Sequence, residues 1–237
     1  RDVITLAEPG EYQAPAGVSW FFSGAEGVIG LTAAPLYRGD CRYSWEFYDG
    51  GAVWTCQRGG LTARTGLALA RLGSGELRRA ELHWDGEGVL EGELLCYLEP
   101  VLCGERDHLA HPAFSKLFVE SRAIPGGVSF RRRPRGAEEH PVLAALWDGE
   151  GSTFTTSRQA ALGRGGLRAL AGGGPGPLKG ETGAVLDPCL MVRLPVRLRP
   201  GESCALRLAL GVSDRLDAAA DTAQRLLEGR EEPGGML

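Results

Sequence analysis

The sequence lacks an excess of positive charge, a long apolar run and a leader-like amino terminus. Its 26 Lys and Arg residues against 30 Asp and Glu residues give a net charge of −4, so it offers no basic field to nucleic acid or an anionic membrane. No stretch approaches the ~18 apolar residues of a spanning helix, and the first residues lack the basic-then-apolar order of a signal peptide. We therefore expect a soluble, cytoplasmic chain without a nucleic-acid partner, whose parent protein could be anchored at the inner membrane by other segments.

Cysteine pairs of the C-x-x-C type are also missing. The six cysteines are scattered, at Cys41, Cys56, Cys96, Cys103, Cys189 and Cys204. A chain of 237 residues can build a core without disulfides, and free cysteine is commonly buried. The sequence therefore predicts reduced, mostly buried thiols.

Helical periodicity is scarce, whereas two-residue alternation between turn residues recurs along the chain. The 36 glycines are roughly twice the usual share of about 7% and indicate many turns. This pattern predicts an all-β fold, a large two-sheet antiparallel sandwich, in one domain covering residues 1–237. The chain starts at Arg1 rather than at a methionine, which favours a fragment of a larger protein.

Two stretches near the carboxy terminus predict a hairpin. In residues 190–199, five aliphatic side chains alternate with a second set that includes three arginines, and residues 204–210 repeat the alternation after Pro200-Gly201. Pro195 cannot donate a ladder hydrogen bond, so its strand should lie at an edge or carry a bulge.

Three Asp-Gly dipeptides mark further turns. Asp85-Gly86 joins the alternating residues 76–84 and 89–98 and predicts a second hairpin, and the dipeptide recurs at Asp49 and Asp148.

Only one strong helix is predicted, and it follows these strands. Leu216, Ala219, Ala223 and Leu226 mark a stripe after the capping candidates Ser213 and Asp214, and Gly229 should end the helix. The glycine- and proline-rich residues 162–183 are expected to form a surface loop without core elements.

The densest group of titratable residues is Asp107, His108 and His111. No third strong ligand lies at a recognised spacing, so we expect no metal site, and packing or hydrogen bonding is the favoured role. A small catalyst would need a proton donor and an acceptor across a sugar, for which His108, His111 and Glu120 are the candidates.

Other candidate contacts are aromatic, basic or glycine-rich. Trp45 and Trp54 are the best candidates for exposed rings that stack on sugars, although most tryptophans of a sandwich are core residues. The run Arg131 to Arg135 fits a solvated strand end or a domain contact. The glycine-rich stretches lack the ending of a phosphate loop, so no nucleotide cofactor is expected.

A series of motifs carries a family resemblance. HPAFSKLFVE at residues 111–120, preceded by Asp107-His108, is followed by Arg132-Arg133-Pro134, by LGRG at 162–165 and by GAVLDP at 183–188. In this order the series resembles the β-sandwich domain that precedes the catalytic barrel of cellobiose-phosphorylase-like enzymes, most closely the phosphorylase-like region of cyclic β-1,2-glucan synthases and the β-1,2-oligoglucan phosphorylases. The resemblance covers residues 76–228.

This resemblance implies a galactose-mutarotase-like sandwich with no catalytic residues and no cofactor of its own. The chemistry would belong to an (α/α)6 barrel of the same parent chain, and the sandwich would pack on that barrel and help to form a homodimer. Carbohydrate or domain contacts are then expected at Asp107, His108, His111, Lys116, Arg164, Trp45 and Trp54. An autonomous module that binds a β-glucan oligosaccharide and a small mutarotase-like enzyme remain the alternatives.

Overall fold

The computed structural model describes residues 2–5, 17–134, 139–172 and 178–229, and Arg135 of the predicted basic run lies outside them. The strands within these ranges are β1 (Asp2–Thr5), β2 (Ser19–Gly24), β3 (Gly27–Gly30), β4 (Arg42–Tyr48), β5 (Gly51–Arg58), β6 (Leu61–Leu69), β7 (Ser74–Trp84), β8 (Leu90–Leu98), β9 (Pro100–Gly104), β10 (Val119–Ile124), β11 (Gly127–Arg132), β12 (Val142–Asp148), β13 (Thr153–Ser157), β14 (Pro188–Leu198) and β15 (Glu202–Ser213). The helices are α1 (Glu105–Ala110), α2 (Pro112–Lys116), α3 (Arg158–Leu162), a 3-10 segment (Gly163–Gly172) and α4 (Leu216–Leu227).

Two antiparallel sheets face each other. The large sheet has eight strands in the order β10-β11-β12-β15-β7-β6-β5-β4, the small sheet has five in the order β13-β14-β8-β2-β3, and β1 pairs with β9. The main core lies between the two sheets, where alternate residues of β14 and β15 meet alternate residues of β7 and β8. This arrangement confirms the predicted two-sheet sandwich.

Helices cover part of the outer face of each sheet. The 3-10 segment and α3 cover the small sheet, where Leu167, Leu170 and Leu178 join a second apolar cluster. On the large sheet, α4 covers β15 and its neighbours, with Ala219 and Ala223 fully buried. A Cβ on Gly211 of β15 would lie 2.0 Å from the Ala219 carbonyl oxygen, so only glycine allows the helix this close.

Neither predicted hairpin forms. β14 pairs with β8 and β13, whereas β15 pairs with β7 and β12, so residues 199–201 cross from one sheet to the other. The turn at Asp85-Gly86 also leads from one sheet to the other. The dipeptide at Asp49-Gly50 does close a hairpin between β4 and β5, with Gly50 at a φ of 76°. Alternation identifies the buried face of a strand but does not identify its hydrogen-bonding partner.

Pro195 lies at a local edge, as predicted. β13 pairs only with the part of β14 from Pro188 to Arg193, so beyond that point one side of β14 has no neighbour among the described strands. The outer face of β14 is not wholly exposed to solvent, however. Met191 is buried in the second cluster, and Arg193 is buried against Glu93.

The carboxy-terminal helix is confirmed, with Gly229 in the left-handed conformation after its last turn. Its cap is not the predicted one, since Arg215 holds the N-cap position and no side chain in the described ranges caps the helix. The prediction that residues 162–183 form a surface loop without core residues is wrong, because the 3-10 segment places leucines in a core cluster.

The cysteines follow the expectation of burial. Five are buried and Cys204 is half-buried, and none forms a disulfide. Burial raises the pKa of the Cys56 thiol to about 12 and that of Cys204 to about 11. Over the ranges described above, no helix is long and apolar enough to cross a membrane.

Candidate functional site

The HPAFSKLF motif folds as two short helices with a break between them. Pro112 takes the first position of α2, where a missing N–H costs nothing. The residue before a proline avoids the helical region, and His111 accordingly has φ −148° and ψ 71°. The break between the two helices therefore falls at His111, the residue before the proline.

Arginines of the basic run fasten this motif to the large sheet. Arg132 donates from Nη1 to the carbonyl oxygen of Ser115 at 2.9 Å and to its Oγ at 3.0 Å. Arg133 donates to the Leu117 carbonyl oxygen at 2.9 Å, and Arg131 pairs with Glu120. Arg131 and Arg133 are exposed, as expected of a solvated strand end, but Arg132 and Arg133 also clamp the motif to the sheet.

Beneath the motif lies a ring of four charged side chains, which we call the ion ring. Lys116 Nζ lies 2.5 Å from Glu99 Oε2 and 3.2 Å from Asp187 Oδ1. Arg158 lies 3.3 Å from Glu99 and 3.6 Å from Asp187. Two cations and two anions make the ring neutral, and it joins the end of β8, α2, α3 and the segment before β14.

The electrostatics of the ion ring favour full charge pairing. Burial lowers the pKa of Lys116, but the carboxylates of Glu99 and Asp187 more than offset it, so that pKa lies above its usual value. Burial raises the pKa of Tyr97, whose hydroxyl stays protonated and donates to Glu99 Oε1 at 2.6 Å. Glu99 is therefore saturated by three donors and is poorly suited to exchange protons with a substrate.

A groove of about 650 Å³ opens over the ion ring. We call it the motif groove; its lining is His108, Pro112, Ala113, Phe114, Lys116, Leu117, Leu186 and Asp187. Phe114 and Leu186 are 52% and 81% exposed, and Leu109 on α1 is 68% exposed. Large apolar side chains gathered at one exposed place are typical of protein contact surfaces.

The three predicted titratable residues divide between two grooves. His108 is buried and lines the motif groove, whereas Asp107 and His111 are exposed and line a separate groove with Arg132 and His140. Glu120 lies in neither groove. Among the residues whose placement is described, no group of three His, Cys, Asp or Glu side chains could hold a metal ion.

The predicted tryptophans lie at a different part of the molecule, on the edge of the large sheet. Trp45 of β4 is directly opposite Trp54 of β5, so both rings project from the same face. Phe47 packs edge-on against Trp54 with ring centroids 6.4 Å apart. Trp45 is 59% exposed and Trp54 is half-buried. We call Trp45, Phe47 and Trp54 the aromatic shelf.

Arg164 is exposed on the 3-10 segment and lines neither groove described above. The structure thus joins Lys116 and His108, pairs Trp45 with Trp54, and leaves Arg164 apart.

Sequence reasoning missed Glu99 and Arg158 and did not single out Asp187. A signal for Glu99 was available, because a carboxylate ending the apolar run Leu94 to Leu98 enters a buried environment and must find cations. No local pattern marks Arg158, which reaches the ring only through the fold.

Comparison with known proteins places these motifs in context. The family model described as glycosyl hydrolase 94, supersandwich domain, matches residues 25–228. Over 170 residues the chain is 31% identical to the cyclic beta-(1,2)-glucan synthase NdvB of Rhizobium meliloti (strain 1021). That alignment covers 68% of this chain and 6% of the relative, so the chain spans only a small part of the relative's length.

The fold is shared more widely. A bacterial glucoamylase, solved in complex with acarbose, is similar with a TM-score of 0.54 and 10% identity, over 89% of this chain and 28% of that one. An identity this low shows a common fold and nothing further.

Proposed function

Since this chain belongs to the glycosyl hydrolase 94 supersandwich family, we propose that it is a non-catalytic scaffold domain of a β-glucan phosphorylase or cyclic β-1,2-glucan synthase. In this proposal residues 1–237 form one domain of a larger protein and pack on an (α/α)6 catalytic barrel of the same polypeptide. The family match confirms the resemblance seen in the motifs and extends it from residue 76 back to residue 25.

The observation that carries the proposal is the motif groove. Its exposed Phe114 and Leu186 stand on an ion ring that joins four distant segments, so the apolar surface is held in one shape. A preorganised apolar surface is favoured for docking because little conformational entropy remains to be lost. The relative of 31% identity has most of its length outside the matched region. A longer parent chain of this kind has enough further sequence to contain the domain that would dock here.

The engagement of most candidate acid and base groups in ion pairs supports a non-catalytic role. Glycoside chemistry needs two carboxyl groups, or a carboxyl and a histidine, that face a common substrate. In the described part of the chain Glu99 is saturated by its partners, Glu120 is paired with Arg131, and Asp187, which lines the motif groove with His108, is held by Lys116 and Arg158. Asp107 and His111 share the second groove and are the pair that a catalytic role would have to use.

The test begins with the natural reading frame that contains this chain. We expect it to encode a helical-barrel segment downstream, and a stop codon shortly after Leu237 would contradict the proposal. The full natural protein is then compared with its Leu186→Asp variant. Burying a leucine is worth about 1.5–3 kcal/mol, so the variant should undock the domains and show two thermal transitions in calorimetry in place of one.

The matched control is Val89→Asp. Val89 is 45% exposed on the turn between β7 and β8 and does not line the motif groove. The Val89→Asp variant should still unfold in a single transition, and its glucan phosphorolysis or synthesis should be unchanged. Equal effects of the two variants would show that the motif groove is not a docking surface.

A further inference from the structure

A pocket of about 190 Å³ opens beside the aromatic shelf, between β2 of the small sheet and β5 to β7 of the large one. At ~30 Å³ per water molecule it holds about six waters, which is the scale of a single sugar ring. Trp54 belongs both to the shelf and to the pocket wall. We call this cavity the shelf pocket.

Two polar side chains that line the shelf pocket carry unsatisfied atoms. Trp20 and Thr65 are 2% and 1% exposed. Trp20 Nε1 and Thr65 Oγ1 are both buried, and neither has a hydrogen-bond partner among the described residues. Buried donors and hydroxyls are rarely left unpaired in proteins, so two in one pocket indicate that something else supplies their hydrogen bonds.

The charge of the shelf pocket limits what that ligand can be. Among the described residues that line it, the one charged side chain is Arg78, which is already held by Glu76 through contacts of 2.9 and 3.1 Å. An anion would have to compete with that carboxylate. The groups left to pair are an indole N–H and a hydroxyl, which match a neutral ligand rich in hydroxyl groups.

The geometry points to a saccharide-binding site. In this site the shelf pocket takes one sugar ring, and the aromatic shelf supports the neighbouring sugar units of the same saccharide. Sugar C–H faces pack on exposed aromatic rings, while ring hydroxyls accept from Trp20 Nε1 and exchange hydrogen bonds with Thr65 Oγ1. This inference goes beyond a scaffold role, because the docking surface lies at the motif groove.

The experiment titrates the 237-residue chain with glucotetraoses of β-1,2, β-1,3 and β-1,4 linkage, followed by tryptophan fluorescence and calorimetry. The choice of glucose-based probes rests on the proposed function. We expect saturable binding of at least one tetraose. Thr65→Val keeps the shape of the side chain and removes the hydroxyl, so it should weaken binding about three- to tenfold, the value of one hydrogen bond.

The matched control is Thr62→Val on the opposite face of β6. Thr62 does not line the shelf pocket and its replacement should leave affinity unchanged. Thr65→Val removes an unpaired group and should unfold no earlier than the wild type, so lost binding cannot be ascribed to misfolding.

The inference is overturned if no tetraose binds, if Thr65→Val binds as tightly as the wild type, or if Thr62→Val weakens binding equally. Leu186→Asp should leave sugar binding intact. If the protein binds sugar but Leu186→Asp still unfolds in a single thermal transition, only the scaffold role is contradicted, and the saccharide site is not.

Discussion

The motif groove and the shelf pocket are built in opposite ways. In the motif groove the charged groups beneath the surface are held in ion pairs, and the exposed side chains, such as Leu186, are apolar. In the shelf pocket buried polar atoms of Trp20 and Thr65 lack partners, and aromatic rings flank them. The first needs only an apolar cover, whereas the second needs hydrogen bonds from a ligand.

This difference separates two uses of buried polarity. A closed network such as the ion ring holds distant segments in register, and removing a member leaves charges stranded. Unpaired groups such as Thr65 Oγ1 contribute nothing to the fold and can be satisfied only from outside. Stability measurements should therefore distinguish the two regions.

The largest effect is expected from Glu99→Gln. The substitution leaves Lys116 and Arg158 to share Asp187 as their remaining ring carboxylate, and breaking a buried ion pair typically costs about 3–5 kcal/mol. Urea denaturation should show a lower midpoint with an unchanged slope. Glu91→Ala is the matched control on β8, where an exposed pair with Arg197 at 3.5 Å is worth at most about 1 kcal/mol. Equal losses in the two variants would contradict a stabilising ion ring.

The sequence predicted the faces of the strands better than their neighbours. The apolar positions of β14 and β15 all enter the core as the alternation required. Their assignment to one hairpin is wrong because an alternating pair joined by a short turn can fold back within a sheet or arch across the core. Which of these two connections forms depends on the strands with which β7, β8 and β12 pair, and no local sequence pattern indicates that pairing.

The candidate site divides in the same way. Lys116 belongs to a motif recognisable in the sequence, and Trp45 and Trp54 were found as aromatics flanking a turn. Arg158 and Asp187 reach Lys116 only after α3 and the following segment fold over the small sheet. Unsatisfied atoms such as Thr65 Oγ1 are a property of packing, and the sequence has no means to show them.

A second prediction concerns the pH dependence of the ion ring. The folded-state pKa of Lys116 lies above its ordinary value of 10.5, so its charge stabilises the fold fully below pH 10.5 and this contribution is lost as the pH rises through the folded-state pKa. The difference in melting temperature between the wild type and Lys116→Met should be constant from about pH 7 to about pH 10 and should shrink above that.

The comparison of the two variants isolates this residue. Buried thiols such as Cys204, whose pKa is raised to about 11, also destabilise the folded state at alkaline pH, but they do so equally in both proteins. A difference that disappears below pH 10 would show that the ammonium of Lys116 is not held by the ring.

The smallest effect is expected from Trp45→Ala, which tests the other region. Trp45 lies on an edge strand and is mostly exposed, so its loss removes one cross-strand aromatic pair, worth at most about 1 kcal/mol. The same variant should weaken tetraose binding, because the shelf loses an exposed ring. Chemical denaturation and fluorescence titration of one preparation measure both effects. A loss of stability as large as that of Glu99→Gln would show that the shelf belongs to the core, and the shelf would then have no surface to offer a sugar.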